Sequence, residues 1–252
     1  MKVVIVTGAS KGIGKSAAQH LLSQGISVVG IARTAAALAA LQSEPSPTSA
    51  QFIGITGDIS DESVQDRAVG VARSLGDIVG IVNNAAIVSP TGPILDATAE
   101  QWQRILGINL LAPLTLTAKC IADLKRNGGN VINVTSSTSQ APVPAFGPYG
   151  VTKVSLNYVS KAISVEYPEV TCLAFYPGVV DTDMNQDAID AVAKYAETGN
   201  GCDMSGTTKK LAEPISADLP GRIIANLATR ASHELTGQYF VYSDDAMAPY
   251  ST

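Results

Sequence analysis

Tyr149 and Lys153 place a phenol and an ammonium group four residues apart in the stretch GPYGVTKVSL, residues 147–156. If this stretch is helical, both side chains lie on one face, one turn apart. A free tyrosine has a pKa of about 10, and a neighbouring ammonium group lowers that pKa, so that the phenol can transfer a proton nearer neutral pH. An exposed pair of this kind would instead contribute roughly a few tenths of a kcal/mol to the helix. The two residues alone leave both interpretations open.

Ser136 supplies a third group that fits the same chemistry. It lies 13 residues before Tyr149 and follows an apolar, β-branched run. Its hydroxyl could donate a hydrogen bond to a substrate oxygen, as in an oxyanion site. Thr135 and Ser137 also carry hydroxyls, but side chains alternate along a strand, so both face away if Ser136 faces a cleft. Reduction of a ketone needs a proton for the oxygen and a polarised carbonyl, while the hydride must come from a nicotinamide cofactor.

A glycine-rich turn, TGASKGIG at residues 7–14, offers a place for such a cofactor. The turn follows a predicted strand and opens a predicted helix. Glycine lets the backbone turn tightly and approach a pyrophosphate, and the helix N-terminus adds free N–H groups and a positive dipole. Many tight turns are glycine-rich, but this context favours dinucleotide binding. We therefore expect cofactor contacts from Gly8, Ser10, Lys11, Gly12, Ile13 and Gly14.

The end of the second predicted strand indicates which nicotinamide cofactor binds. An acidic residue there would hydrogen-bond the ribose 2′-hydroxyl of NAD. The sequence has Arg33 and Thr34 instead, and no carboxylate. Arginine can bind a 2′-phosphate through two hydrogen bonds, and Lys11 could add a second positive charge. Both cations could be ordinary solvated residues, but together, without a competing acid, they favour NADPH.

These residues need a scaffold in which strands and helices alternate. Short apolar runs rich in β-branched residues predict strands, and segments of helical periodicity lie between them. The alternation predicts an α/β fold: a single-domain, Rossmann-like, doubly wound parallel sheet of about seven strands with helices on both faces. No linker or repeat divides residues 1–252. The predicted strands are 3–8, 27–33, 51–60, 77–86, 129–137, 170–178 and 237–245, and the predicted helices are 14–25, 34–44, 61–76, 96–127, 149–164 and 220–231.

Three further segments complete this arrangement. Residues 45–49, with the sequence PSPTS, should end the second helix, and Asp61 or Ser60 should cap the third. Residues 184–219 are rich in small and polar side chains. We expect them to form a mobile substrate lid between the sixth strand and the final helix.

Composition and charge exclude several classes of protein. Hydrophobic residues make up 46% and charged residues 15% of the 252 residues, which allows a large core. The net charge of −5 and the lack of a basic stripe argue against nucleic acid or an anionic membrane as a partner. No apolar run approaches the roughly 20 residues of a membrane span. The N-terminal apolar run is too short for a signal peptide.

Cysteine and histidine usage points the same way. Cys120, Cys172 and Cys202 are widely spaced, which is typical of reduced residues in a cytoplasmic protein. His20 and His233 are the only histidines, and no Cys/His cluster accompanies them. We therefore expect no metal site, and a Ser-His-Asp hydrolase is disfavoured.

Taken in order, these motifs give the chain a family resemblance. With NNAA at 83–86, Ser136, YGVTK at 149–153 and PGVVDTDM at 177–184, the sequence resembles a classical short-chain dehydrogenase/reductase. The resemblance runs from the N-terminus to about residue 184 and continues more loosely to the C-terminus. The segments GIARTAAAL and LTGQYFVYSDD are similar to a fungal subgroup that includes benzil reductase and sepiapterin-reductase-like enzymes.

The resemblance implies roles for further residues. Asn109 would distort the long helix and bind a water that relays protons to Lys153, which also holds the nicotinamide ribose. Two of the segments named next also have a simpler interpretation: Asp58 could serve only to cap a turn, and the Pro177–Gly178 pair could serve only to form a turn. Asn83 is expected to be structural rather than to contact the cofactor. By resemblance, cofactor contacts also come from Asp58 and Ile59 at the adenine, from Asn84, Ala85 and Ala86 along the ribose side, from Tyr149, and from Pro177, Gly178, Val180 and Thr182 at the nicotinamide and phosphates.

The function expected from these residues is an NADPH-dependent carbonyl reductase acting on a neutral, hydrophobic or aromatic ketone or diketone. Tyr149 donates the proton and Ser136 polarises the carbonyl. A pterin-carbonyl reductase, a related epimerase or dehydratase, and a non-catalytic NADP-sensing protein remain alternatives. The C-terminus lacks the Asp-Gly-Gly pattern common in the family, but two long helices suit a homodimer or homotetramer. Candidate substrate contacts are Thr138, Gln140, Val143, Phe146, Tyr176 and Val179.

Overall fold

A computed structural model of the chain describes residues 1–45, 48–198 and 203–252. Strands and helices alternate as the sequence predicts. The strands are β1 Lys2–Thr7, β2 Ser27–Ala32, β3 Phe52–Thr56, β4 Asp77–Asn83, β5 Asn130–Val134, β6 Thr171–Tyr176 and β7 Tyr239–Val241. The helices are α1 Gly12–Ser23, α2 Ala35–Gln42, α3 Glu62–Leu75, α4 Ala99–Leu106, α5 Ala112–Asn127, α6 Gly147–Glu166, α7 Asp183–Glu197, α8 Ser205–Ala212 and α9 Asp218–Arg230.

The seven strands form one parallel sheet in the order β3-β2-β1-β4-β5-β6-β7. The order reverses between β1 and β4, which places a crevice outside the carboxyl ends of these two strands. Side chains alternate along β1: Val4 and Val6 pack with α1, α2 and α9, while Val3 and Ile5 pack with α3, α5 and α6. The doubly wound Rossmann-like fold is therefore confirmed.

The long helical region after β4 is continuous but distorted. Between α4 and α5 the five residues Gly107–Leu111 form a π-helical turn. The whole segment Ala99–Asn127 has 29 residues and a mean hydropathy of 1.6 over its most apolar 18. By length and composition alone it could cross a membrane, so the expectation that no run is long and apolar enough is wrong. Leu116 and Leu124 on this segment are fully buried against the sheet, as in the core helix of a layered fold.

The segment expected to be a lid is more regular than predicted. Helices α7 and α8 occupy much of it, and Thr182 caps α7 by accepting a hydrogen bond from the Asn185 amide. The buried residues Ala188, Ala191 and Val192 follow helical spacing, which the small-residue composition obscured. Residues 199–202, which include Cys202, lie outside the described residues, as do residues 46–47 of the predicted helix stop at 45–49.

Helix boundaries elsewhere differ from the predictions by up to three residues. Helix α1 begins at Gly12 rather than residue 14, so part of the glycine-rich turn is already helical. Of the two proposed caps for α3, Asp61 is the one used: its carboxylate accepts a hydrogen bond from the Ser63 amide at 2.8 Å. Pro148 lies in the first turn of α6, where a proline costs no backbone hydrogen bond and fixes the start of the helix just before Tyr149.

Candidate active site

A cavity of about 800 Å³ opens at the carboxyl ends of the strands and brings most of the predicted residues together. Two of the predicted catalytic and cofactor-binding residues do not line it: Gly14, which packs behind the turn, and Asn109, which is buried in the π-helical segment. The predicted residues that line the cavity are Gly8, Ser10, Lys11, Gly12, Ile13, Arg33, Thr34, Asp58, Ile59, Asn84, Ala85, Ala86, Ser136, Tyr149, Lys153, Pro177, Gly178, Val180 and Thr182.

The glycine-rich turn has the geometry that a pyrophosphate requires. Gly8 and Gly12 have φ angles of +68° and +54°, in the left-handed region that favours glycine. No side chain caps the N-terminus of α1, so its first amides point towards the cavity without side-chain partners. A Cβ on Gly14 would lie 2.3 Å from the Gly8 carbonyl oxygen, so Gly14 is needed for close packing of helix on strand rather than for contact. The turn fits a dinucleotide.

Arg33 and Asp58 lie together at the far end of the cavity. Burial raises the pKa of Asp58, but hydrogen bonds from the Ser60 amide at 3.0 Å and hydroxyl at 2.7 Å outweigh it. With the charges of Arg104 and Arg33, the net pKa is lowered, so Asp58 is an anion at neutral pH. Asp58 thus both caps a turn and lines the site. Arg33 is exposed and forms no ion pair with any residue that the structure describes.

Lys11, the second cation that the sequence suggested, lines the cavity and is paired with a carboxylate. The Lys11 ammonium group forms an ion pair with Asp183, the first residue of α7. The hydrogen bond from Lys11 lowers the pKa of the Asp183 carboxyl group. The side chains are 69% and 73% exposed. The partners are 172 residues apart in sequence, and no local signal connects them. The pair joins the glycine-rich turn to the start of α7 across the mouth of the cavity.

Lys153 lies below Tyr149 on the same face of α6. Its side chain is buried, with 2% exposure, and its ammonium group donates a hydrogen bond to the Val134 carbonyl at 2.8 Å. The Nζ atom lies 5.4 Å from the centroid of the Tyr149 ring. Burial lowers the pKa of Lys153 to about 7. Burial thus makes Lys153 a weaker base than an exposed lysine.

The phenol of Tyr149 differs from the expectation in one respect. Its ring is partly exposed to the cavity, yet burial by the surrounding protein raises its pKa well above the usual range. A hydrogen bond from Ser136 lowers that pKa, and the nearby Tyr176 raises it. Lys153 has no such effect here, because its ammonium group is directed to the Val134 carbonyl and is itself disfavoured by burial. The predicted lowering by Lys153 is therefore wrong for this structure.

Ser136 follows β5 and faces the cavity beside Tyr149. Its oxygen accepts a hydrogen bond from the Thr138 amide at 3.2 Å, which leaves the hydroxyl proton to donate elsewhere. The expected alternation does not hold past the end of the strand: Thr135 and Ser137 line the cavity too. Thr135 nevertheless uses its hydroxyl to bind the Lys153 carbonyl at 3.3 Å. Of these three hydroxyl groups, that of Ser136 fits the role of an oxyanion donor best.

Asn109 links two parts of the site from its place in the π-helical turn. Its side chain accepts a hydrogen bond from the Ile87 amide at 2.9 Å and donates to the Ile87 carbonyl at 2.8 Å. It also donates to the Thr152 hydroxyl at 3.2 Å, next to Lys153 on α6. The predicted helix distortion at Asn109 is confirmed. The proton relay through a water stays a prediction.

The segment after β4 is clamped to the end of β1. The Thr7 hydroxyl accepts hydrogen bonds from the amides of Asn84 and Ala85, both at 2.9 Å, and the Asn84 side chain donates to the Thr7 carbonyl at 2.9 Å. Asn83 points the other way and donates to the Asn133 side chain at 2.8 Å inside the core. The structural role expected for Asn83 is confirmed, and Asn84 shapes the crevice wall.

The remaining walls of the cavity come from residues after β5 and β6 and from α7 and α8. Of the predicted substrate contacts, Gln140 is exposed and does not line the cavity. Residues 184–219 were expected to form a lid over the substrate, and the two helices of this segment do line the cavity. The sequence analysis missed their helical form, although apolar residues at helical spacing were a signal. The confirmed lining residues are Thr138, Val143, Phe146, Tyr176 and Val179, and those not named individually from the sequence include Met184, Ala188, Lys210 and Leu211.

Comparisons with known proteins agree with this geometry. The sequence matches the short chain dehydrogenase family over residues 2–193. It is 30% identical to an uncharacterized oxidoreductase of Saccharomyces cerevisiae, over 99% of this chain and 98% of that protein. It is also 30% identical to benzil reductase ((S)-benzoin forming) of the same yeast, over 98% of each chain. The crystal structure of a short chain dehydrogenase/reductase from Saccharomyces cerevisiae superposes with a TM-score of 0.89, at 28% identity, over 100% of both chains.

The fold and the cavity thus define an oxidoreductase of the Rossmann-like type. The chain belongs to the short chain dehydrogenase family.

Proposed function

We propose that this protein is an NADPH-dependent carbonyl reductase that converts a neutral, hydrophobic or aromatic ketone or diketone into a secondary alcohol. The observation that carries this proposal is the convergence of Ser136, Tyr149 and Lys153 on the cavity that also holds the glycine-rich turn. The cofactor, when bound, supplies the hydride that no side chain can provide. The protein must then polarise the carbonyl and deliver a proton to its oxygen.

The three side chains divide this work. The Tyr149 phenol is protonated at neutral pH, and it can donate its proton to the forming alkoxide because an alkoxide is a stronger base than a phenolate. The Ser136 hydroxyl donates a hydrogen bond to the same oxygen. Lys153, with a pKa of about 7, is suited to restore the proton to Tyr149 after turnover.

NADPH rather than NADH is supported by the charge at the end of β2. Arg33 is exposed at the cavity, and no acidic residue follows this strand. Hydrogen bonds from a guanidinium to a phosphate contribute about 1.5–3 kcal/mol. We expect Arg33→Ala to lower kcat/KM with NADPH by about tenfold or more and to change kcat/KM with NADH by less than about twofold. An equal loss with both cofactors, or a wild-type preference for NADH, would contradict the assignment.

The substrate class is supported by the lining near Tyr149. Val143, Phe146 and Val179 are apolar, and the lining residues that the structure describes form no cluster of cations there. One relative is a benzil reductase, and benzil is a neutral aromatic diketone. We propose that the described parts of residues 184–219 form a lid over the substrate.

The experiment is a panel of ketones followed by loss of NADPH absorbance. It includes benzil, a simple aromatic monoketone, an aliphatic ketone and a pterin carbonyl. Tyr149→Phe is expected to abolish turnover while it keeps NADPH affinity, measured by fluorescence titration. A Tyr149→Phe variant with normal kcat would refute the mechanism, and a wild-type protein that binds NADPH but reduces no carbonyl would support a sensing role instead.

We also propose a homodimer that pairs the exposed faces of α5 and α6. Leu111, Val151, Val154 and Tyr158 are exposed by 54%, 40%, 50% and 73% and form an apolar surface there. Val154→Glu should convert the dimer to a monomer in light scattering after size-exclusion chromatography, and a wild-type monomer would refute the proposal. A cytoplasmic location is supported by Cys120 and Cys172, both buried free thiols.

A further inference from the structure

Tyr176 is a second phenol at the catalytic end of the cavity. It is the last residue of β6 and lines the cavity with Ser136 and Tyr149. Along β6, Phe175 packs into the core with α1 and α9, whereas Cys172 contacts the face covered by α6. Because side chains alternate, Tyr176 shares the face of Cys172, on the side where α6 carries Tyr149. Its ring therefore approaches the reaction centre from the strand while Tyr149 approaches from the helix.

The hydroxyl of Tyr176 does not stabilise the described part of the fold through a hydrogen bond. Among the residues that the structure describes, it takes part in no hydrogen bond. Other tyrosine hydroxyls are engaged: Tyr250 accepts from the Ser232 amide at 2.9 Å, and Tyr149 interacts with Ser136. Negative charge on Tyr176 would raise the pKa of Tyr149, which shows that the two phenols are near neighbours.

Thr138 is another polar residue on this wall, and it is less suitable for binding a substrate. The Thr138 hydroxyl also lacks a hydrogen-bond partner among the described residues, but its oxygen is shielded from solvent. Val143, Phe146 and Val179 offer only apolar contacts. Tyr176 thus offers, beside the catalytic pair and next to these apolar residues, a hydrogen-bond donor that the described part of the fold leaves unengaged.

We propose that Tyr176 is a specificity-determining residue that donates a hydrogen bond to the second oxygen of a 1,2-dicarbonyl substrate while Ser136 and Tyr149 hold the oxygen that is reduced. This inference rests on the proposed carbonyl reductase function and names the substrate class of that site. In a 1,2-dicarbonyl the second oxygen lies on the adjacent carbon, so a donor next to Tyr149 can reach it. A monoketone lacks that oxygen and would leave the Tyr176 hydroxyl without a hydrogen-bond partner. A site built to form this hydrogen bond therefore favours the 1,2-dicarbonyl over the monoketone.

The test compares benzil with deoxybenzoin, in which one carbonyl of benzil is a methylene group. The wild type, Tyr176→Phe and the control Tyr239→Phe are assayed with saturating NADPH. Tyr239 on β7 interacts with Tyr176 but does not line the cavity. For each protein, kcat/KM with benzil is divided by kcat/KM with deoxybenzoin. Comparing this ratio between the proteins removes the intrinsic difference in reactivity of the two ketones.

We expect Tyr176→Phe to lower kcat/KM for benzil by about five- to tenfold, mainly through KM, as loss of one hydrogen bond implies. Turnover of deoxybenzoin should change by less than about twofold, and Tyr239→Phe should preserve the wild-type ratio. An equal loss with both ketones, or no loss with benzil, would overturn the role of Tyr176. Failure of the wild type to reduce either ketone would refute the proposed function itself, which is a different result.

Discussion

Asn109 allows a prediction whose size follows from individual hydrogen bonds. Its amide makes three of them, with the Ile87 amide at 2.9 Å, the Ile87 carbonyl at 2.8 Å and the Thr152 hydroxyl at 3.2 Å. Asn109→Leu keeps the approximate size of the side chain and removes all three. At about 1 kcal/mol for each bond, the free energy of unfolding should fall by about 3 kcal/mol. For a chain of this length, that corresponds to a decrease in Tm of about 6–12 °C.

A matched control is Asn157→Leu on α6. Among the residues that the structure describes, the Asn157 side chain makes a single hydrogen bond, to the Ser139 hydroxyl at 2.9 Å, so the same substitution should lower Tm by only about 2–4 °C. Thermal unfolding is followed by circular dichroism, and kcat is measured with saturating NADPH and benzil. We expect kcat to fall for Asn109→Leu because Ile87 lines the cavity and Thr152 adjoins Lys153. Equal decreases in Tm for the two variants would refute the assignment of Asn109 as an anchor.

Three further predictions concern charge and packing at the site. Burial lowers the pKa of Lys153 from its ordinary 10.5 to about 7, so between these values only the unfolded chain binds the proton. The stability of the cofactor-free wild type, measured by urea unfolding, should rise with pH across this window, and Lys153→Met should remove that rise; parallel pH profiles would contradict it. Gly14→Ala places a Cβ 2.3 Å from the Gly8 carbonyl and should weaken NADPH binding by about tenfold in fluorescence titration; unchanged affinity would show that the turn can relax. Asp183→Asn releases Lys11 and should lower KM for NADPH by about twofold at low salt, with no difference at high salt; a raised KM would mean that the ion pair itself favours binding.

The sequence was sufficient for the parts of this molecule that depend on local spacing. The glycine-rich turn, the strand pattern and the Tyr149–Lys153 pair each follow from residues close together in the chain. The ion pair of Lys11 with Asp183 did not, because it joins residues 172 positions apart. The directions of the pKa shifts of Tyr149 and Lys153 also could not be predicted from the sequence. They depend on how deeply each group is buried and on which atom the Lys153 ammonium group binds.

Helices α7 and α8 show a different reason for a missed element. Ala188, Ala191 and Val192 have the spacing of a buried helical face, but small residues give a weak periodic signal. Flanking glycines and polar residues then favoured an irregular excursion. The prediction that Gln140 contacts the substrate was wrong for a separate reason. Gln140 follows a short 3₁₀ turn, Ser137–Ser139, and lies outside the cavity lining.

The parallel order of the sheet gives the molecule two functionally unequal ends. The strands end at the cavity, whereas Met1 lies at the opposite edge, where its carbonyl accepts a hydrogen bond from the Asp77 amide at 2.8 Å at the start of β4. Met1 is 57% exposed. A molecule immobilised on a bead or electrode through a linker at Met1 would therefore turn its cavity towards the solution, where small molecules can enter without obstruction by the support.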